Sequence, residues 1–101
     1  MSAALAPLPS PAAIHADIIH SDASPQPMGG SIDYTSGTAS LHFLIRDTSQ
    51  PHAKPRRIIV TTISDAKALL AARDNNTPFT ARIEREPNEL FPRLVSNSIN
   101  A

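Results

Sequence analysis

The chain has 101 residues, nine basic and nine acidic side chains, and no cysteine. This length suits one small domain, and the lack of Cys excludes disulfides and thiolate metal sites. The uninterrupted apolar runs are far shorter than the ~20 residues of a membrane-spanning helix. Residues 1–13 have neither the basic start nor the continuous apolar block of a secretory signal. We therefore expect a soluble, cytoplasmic domain.

The neutral total conceals an uneven distribution of charge. Residues 1–45 contain three Asp and no Lys or Arg, whereas residues 46–101 contain all nine basic residues and six acidic ones. Neutrality argues against a strong non-specific nucleic-acid binder, whose usual footprint is a strongly basic domain. A local basic surface is still allowed, because surface fields depend on where the charges lie.

Residues 1–13 are rich in Ala and Pro, with Pro7, Pro9 and Pro11 at alternate positions. Because Pro lacks a backbone donor and restricts the residue before it, this segment is predicted to be an extended arm or a disordered tail. The folded domain is then residues 14–101.

The first strand is predicted at residues 14–20. Period-two alternation places Ile14, Ala16 and Ile18 on one face of a half-buried strand. The next stretch, residues 21–30, has the sequence SDASPQPMGG, and its Pro and Gly residues predict a loop.

Two further strands flank a basic loop. Alternation predicts a second strand at residues 40–46, and the β-branched run at residues 57–63 predicts a third. Between them, residues 47–57 form a polar loop with two Pro and the densest cluster of basic residues in the chain.

The period changes to that of a helix at residue 64. Ser64 is predicted as the N-cap of a helix of about ten residues, with Asp65 in its first turn and an end at Asn75 and Asn76. The apolar stripe consists of Ala66, Leu69 and Leu70.

Strands are predicted again at residues 78–86 and 93–99, which makes five strands with one helix between the third and the fourth. This order is that of an OB-fold, a small Greek-key barrel of the all-β class. Its predicted inward-facing residues are Leu41, Phe43, Ile45, Ile58, Val60, Phe79, Ala81 and Ile83.

The stretch YTSGTASLHFLIRD, residues 34–47, resembles the segment of bacterial single-stranded-DNA-binding proteins in which a Gly-Thr-Ala turn opens the second strand. The upstream strand, the basic loop before RRIIVTTI, the Ala-rich helix, PFTARIER and LVSNSI follow in the same order, so the resemblance covers residues 14–99. It implies an OB-fold that binds single-stranded DNA and forms a homodimer through its first strand.

The chain departs from that family at the positions that stack on bases. It has no Trp, its third strand opens with Pro55 and Arg56 rather than an aromatic residue, and the loop before the last strand is reduced to about EREPNEL. In length it is more similar to the primosomal replication protein N branch, whose members form dimers. A divergent copy carried by a plasmid, phage or other mobile element also fits.

Single-strand binding requires cations that follow the phosphates and flat groups on which bases stack. Phe43 and Phe79 are predicted to lie in the core, so stacking falls to the remaining aromatics and to guanidinium planes. The predicted nucleic-acid-binding residues are Tyr34, Arg46, His52, Lys54, Arg56, Arg57, Arg82, Arg85 and Phe91.

An enzyme is not expected. His15 and His20 would point to opposite faces of one strand and could not share a metal, and His42 is interpreted as a surface histidine. There is no Cys nucleophile, no phosphate-binding glycine loop and no serine in a recognisable elbow. We expect neither a cofactor nor a metal.

Two functions stay open. The first is single-stranded DNA binding in replication or recombination, through residues 47–57 and the adjoining barrel face, alone or with a replication or recombination protein. The second uses the same barrel as a subunit or inhibitor that contacts another protein and binds no nucleic acid. OB barrels are known to perform both functions. The choice between DNA and RNA and any base preference are also open.

Overall fold

A computed structural model describes residues 15–49, 52 and 54–101. The arm predicted at residues 1–13, and Ile14, lie outside these described residues. The elements are β1 (His15–Ser21), β2 (Gln26–Asp33), β3 (Thr38–Ile45), β4 (Arg56–Thr62), α1 (Ile63–Asp74), β5 (Phe79–Arg85) and β6 (Arg93–Leu94).

The six strands form one sheet in the order β1-β5-β6-β4-β3-β2. Neighbouring strands are antiparallel except β4 and β6, which run parallel. At the end of β1, Ser21 forms an isolated antiparallel bridge with Asp47, just beyond β3, and the Thr48 N–H donates to the His20 carbonyl at 2.7 Å. β1, at one end of the strand order, is thereby joined to the end of β3, the last strand but one, which makes the fold barrel-like.

The core confirms most of the predicted inward faces. Phe43 and Phe79 are 2% and 3% exposed, so both belong to the interior as expected. Leu41 is only half-buried and packs against the edge of the cluster. The buried core consists of Ile19, Phe43, Ile45, Ile58, Val60, Ala66, Leu69, Ala72, Phe79, Ala81, Ile83 and Leu94.

The prediction of a loop over residues 21–30 and of five strands was wrong, because a sixth strand, β2, begins at Gln26. Every residue of β2 is exposed, so no alternation of burial marked it in the sequence. Gly30 lies where a Cβ would overlap the Ser40 carbonyl oxygen, so this glycine permits close pairing with β3. Pro27 is tolerated because β2 is an edge strand, with an irregularity in its register between Pro27 and Gly29.

The first and last strands differ from their predictions in detail. In β1 the buried residues are Ile19 and Ser21, whereas Ile18 is 55% exposed. The last strand ends at Leu94 instead of residue 99, because the chain turns there: Asn97 has φ 59° and the Ser98 hydroxyl donates to the Val95 carbonyl. The pairing resumes only at the isolated bridge between residues 80 and 100.

The helix is confirmed but begins earlier than expected. Its N-cap is Thr62 rather than Ser64: the Thr62 Oγ1 accepts from the Asp65 N–H at 3.1 Å and donates to the Asp65 carboxylate at 2.8 Å. Asp65 also accepts from the Asn97 N–H at 3.2 Å, which ties the C-terminal turn to the helix. Asn76 has the expected left-handed conformation. Within the described residues, no helix combines the length and the apolar character needed to cross a membrane.

Candidate nucleic-acid interface

The outer face of β2, β3 and β4 is the surface turned away from the core. Phe43 and Ile45 point inward, so the alternate residues His42 and Leu44 point outward. The strand register then builds two adjacent rows across the three strands. They consist of Gln26, Leu44 and Arg57 in one, and Gly29, His42 and Ile59 in the other.

Phe91 lies against this face and joins the two rows. The Arg57 guanidinium carbon is 5.1 Å from the centre of the Phe91 ring, a cation–π distance. The His42 and Phe91 rings meet edge to face, with centroids 6.0 Å apart and an interplanar angle of 84°. Arg57, Phe91 and His42, called the Arg57–Phe91–His42 cluster below, are each only half-buried.

The segment 86–92, between β5 and β6, delivers Phe91 to the outer face. Arg93 Nε bonds the Glu89 carboxylate at 3.1 Å, and Arg85 donates to the Glu89 carbonyl at 3.0 Å. The Pro92 carbonyl accepts from the Ile59 N–H at 2.9 Å, which fixes the end of the segment to β4. Arg85, predicted as a binding residue, is therefore engaged in holding this segment.

The basic residues on and near the outer face differ in whether they form ion pairs. Arg46, Lys54 and Arg57 form no ion pair within residues 15–49, 52 and 54–101. Arg56 is paired with Asp17 of β1 at 3.9 Å, and the two side chains are 42% and 66% exposed, so this pair contributes little to stability.

Strand register links these cations to the cluster. Arg57 lies opposite Leu44, and Arg46 follows two residues later on the same side of the chain. Lys54 and His52 are exposed in the segment that connects β3 to β4. The structure thus joins Arg57 to Phe91, with Arg46 two residues beyond the cross-strand neighbour of Arg57 and Lys54 in the adjoining segment.

Two predicted residues lie elsewhere. Tyr34 is 81% exposed in the turn at the far end of the β2–β3 hairpin, where it borders an apolar pocket of about 240 Å³ between that hairpin and α1. Arg82 is exposed on β5, opposite Ile18 of β1, and β6 separates β5 from β4. Neither belongs to the Arg57–Phe91–His42 cluster.

Several outer-face residues were absent from the predicted site, among them His42, Leu44 and Gln26. His42 and Leu44 could have been found, because alternation along β3 already placed them opposite the core residues. Gln26 could not, because the strand that carries it was predicted as a loop.

Asp47 follows Arg46 in the chain but is buried, with 4% exposure. Burial by itself raises the pKa of this carboxyl, but hydrogen bonds from the Ser49 hydroxyl and N–H and from the His20 N–H, together with the nearby His20 charge, outweigh it and leave the pKa below the ordinary value. Asp47 is therefore an anionic structural tie between β1 and the end of β3.

No group of three or more His, Asp or Glu side chains within the described ranges is arranged to hold a metal ion. Comparison of the chain with models of protein families, with curated proteins and with solved structures found no match.

Proposed function

We propose that this protein binds single-stranded DNA on the outer face of β2, β3 and β4, as an accessory of replication or recombination. The observation that carries the proposal is the Arg57–Phe91–His42 cluster: a guanidinium plane, a phenyl ring and an imidazole brought together on one half-exposed surface. Such flat groups are what bases stack on, and stacking tolerates any base sequence.

The strand order supports assignment of the barrel to the OB fold. The parallel contact of β4 with β6 and the helix between β4 and β5 both have counterparts in that Greek-key barrel. β1 and β2 act as two halves of one interrupted strand, since β1 pairs with β5 and β2 pairs with β3. With β1 and β2 counted together, β3 and β4 are the second and third strands, whose face binds oligonucleotides in OB folds.

The resemblance to single-stranded-DNA-binding proteins agrees with this location. In an OB fold the segment before the last strand is a ligand-binding loop, and here that segment carries Phe91. A base stacked against Arg57 and Phe91 would place its phosphates towards Arg46 and Lys54. These two cations form no ion pair among the described residues, so they do not have to give up a protein partner to bind phosphate.

The expected affinity is modest. Each phosphate neutralised on a single strand lowers the slope of log K against log salt by about 0.7. Two cations, Arg46 and Lys54, then give a slope of about −1.4, because each neutralises roughly one phosphate.

The test is fluorescence anisotropy of a labelled oligo-dT and a labelled duplex, titrated with protein at several salt concentrations. We expect oligo-dT to bind more tightly than duplex, and its affinity to fall with salt. Absence of binding at low salt and micromolar protein would overturn the proposal. An oligo-rU of equal length separates DNA from RNA.

Arg57→Ala and Arg73→Ala form a matched pair of variants. Both remove one arginine, but Arg73 lies in the last turn of α1 and pairs with its own neighbour Asp74. We expect Arg57→Ala to weaken oligo-dT binding about tenfold, since base stacking is worth ~1–3 kcal/mol. Equal losses in both variants would mean that only total charge matters.

We also propose a homodimer that pairs through β1. Among the described residues the edge of β1 away from β5 is bonded only at its end, at His20 and Ser21, to the segment that follows β3, so the rest of that edge is open to pairing. Light scattering at high protein concentration should give about twice the 10.8 kDa of one chain. A monomer at that concentration would contradict this assembly.

A second candidate is a subunit or inhibitor that binds another protein. It is favoured by β2, an edge strand whose residues are all exposed and which presents Met28 and Ile32 at 47% and 41% exposure. Exposed edges of this kind accept an additional strand from a partner. Failure of every oligonucleotide to bind would favour this candidate.

A further inference from the structure

A small polar pocket adjoins the Arg57–Phe91–His42 cluster on the β2 side of the outer face. Its volume is about 130 Å³, roughly that of four water molecules at about 30 Å³ each. Leu44 forms the boundary, since it lies between Gln26 of the pocket and Arg57 of the cluster in the same cross-strand row. The pocket is lined by Asp22, Ser24, Gln26, Leu44, Arg46 and Pro55.

The polar groups of this pocket have unused hydrogen-bonding capacity. Asp22 Oδ1 accepts from the Ser24 N–H at 3.2 Å and from its hydroxyl at 2.5 Å, whereas Oδ2 has no bond to any described residue. The side chains of Arg46 and Gln26 likewise make no hydrogen bond within the described part of the chain. The Asp22 carboxylate, which accepts, and the Arg46 guanidinium, which donates, therefore line the same pocket. Among the described residues these two side chains form no ion pair with each other.

We infer that this pocket receives one base of the bound single strand and prefers cytosine; the inference rests on the function proposed above. The volume suits a single pyrimidine ring better than a purine. Cytosine offers an N4 amino group that donates, and a carboxylate is its usual protein partner. The Arg46 guanidinium would donate to the cytosine O2, while Leu44 and Pro55 provide apolar surface for the ring.

Uracil and thymine carry an O4 acceptor where cytosine carries the amino group. That oxygen would face the Asp22 carboxylate, so two acceptors would meet without a proton between them. The pocket thus discriminates by leaving a polar pair unsatisfied in the wrong complex, which is an effective way to reject a close analogue.

The experiment compares two labelled oligonucleotides that differ in one base, an oligo-dT with a central dC and the same oligo-dT with a central dU. Anisotropy titrations with the full chain should give about fivefold tighter binding for the dC strand. Equal affinities would overturn the pocket but leave the proposed function standing, whereas no binding to either strand would overturn both.

Asp22→Asn is the deciding variant, because the amide oxygen can still hold the turn through the Ser24 N–H. We expect it to abolish the preference for dC, because the cytosine amino group loses its carboxylate partner and the new amide can donate to the O4 of uracil. Asp74→Asn makes the same chemical change at the exposed end of α1 and should keep the preference. A dC preference that survives Asp22→Asn would also overturn the assignment. Thermal unfolding of each variant confirms that the comparison is made between folded proteins.

Discussion

Two groups of arginines on this barrel differ in what surrounds them. Arg85 and Arg93 both bond Glu89, one at its carbonyl and one at its carboxylate, and together they hold the segment that carries Phe91. Arg46 and Arg57, on the outer face, have no carboxylate partner among the described residues. The net charge of zero is therefore uninformative about binding, because the acidic residues that cancel the total form no ion pair with Arg46 or Arg57 in the described part of the chain.

The largest expected effect on binding comes from the Arg57–Phe91 contact. Arg57→Ala and Phe91→Ala should each weaken oligo-dT binding by ~1–3 kcal/mol, because each removes a surface on which a base stacks. Since the two groups are in contact, the double variant should lose less than the sum of the single losses, by at least ~0.5 kcal/mol.

A double-mutant cycle by anisotropy, with the unfolding free energy of each variant measured in urea, checks this coupling. Strict additivity would contradict a shared stacking site. Loss of binding in proportion to loss of stability would instead show that the contact serves only the fold.

The next largest effect is on stability, and it distinguishes Arg46 from Asp47, the residue that follows it. Asp47→Ala should lower the free energy of unfolding by ~1–3 kcal/mol, because the Ser49 and His20 donors lose their buried acceptor. Arg46→Ala, on the exposed face, should leave stability within ~0.5 kcal/mol and weaken only oligonucleotide binding. Urea unfolding at neutral pH distinguishes the two variants.

The same carboxylate gives a pH dependence of defined sign. Its pKa in the folded protein lies below the ordinary value of 3.8, so the unfolded chain binds the proton first. The stability that Asp47 contributes is complete above about pH 5, where the carboxyl is ionised in both states, and is lost as the pH falls through the ordinary value and then the lower, folded-state pKa. Asp47→Asn should flatten this part of the stability curve, and an unchanged acid limb would contradict the assignment.

Much of the fold followed from period-two and helical patterns, because burial imposes those patterns directly. Phe43, Phe79, Ala66 and Leu69 are in the interior as predicted, whereas Leu70 is only partly buried and packs against the core. Strand β2 could not be predicted this way: it is exposed on both faces, so burial selected no alternation, and its Pro and Gly residues resemble a turn. Strand β6 ends at Leu94, and the chain turns at Asn97. This turn is too local a feature to outweigh the apolar residues on either side, so the last strand was predicted to continue to residue 99.

The candidate site was only partly predictable for a different reason. The sequence shows which residues are basic or aromatic, but not which of them have protein partners. Arg85 and Arg57 looked equivalent on their strands, yet Arg85 bonds a loop carbonyl and Arg57 lies over Phe91. The difference depends on where the 86–92 segment folds, which involves contacts between distant parts of the chain.

A smaller effect should follow from loosening that segment. Arg85→Ala removes the hydrogen bond to the Glu89 carbonyl, so Phe91 would be held less firmly against Arg57. We expect about threefold weaker oligo-dT binding, corresponding to ~0.7 kcal/mol, which lies within the usual net worth of one hydrogen bond. The slope of log K against log salt should stay unchanged, because Arg85 neutralises no phosphate.

Lys54→Ala is the control for that slope, since loss of one phosphate contact should make it shallower by about 0.7. If Arg85→Ala shifts the slope by the same amount, Arg85 itself contacts the phosphate backbone of the bound DNA. Arg85 would then belong with the arginines that bind DNA and not with those that hold the 86–92 segment.

The smallest effects are expected at Arg56 and Arg82, two cations that the sequence placed in the same site as Arg57. Arg56 already faces Asp17, and Arg82 lies on β5, beyond β6 from the cluster. Arg56→Ala and Arg82→Ala should each change oligo-dT affinity less than twofold, because a screened charge at this distance adds little at physiological salt, where the Debye length is about 8 Å. The same titrations at ~0.01 M salt, where that length is about 30 Å, should enlarge both effects without equalling Arg57→Ala. A tenfold loss from Arg82→Ala at physiological salt would place part of the DNA path on β5 and would enlarge the interface beyond the outer face.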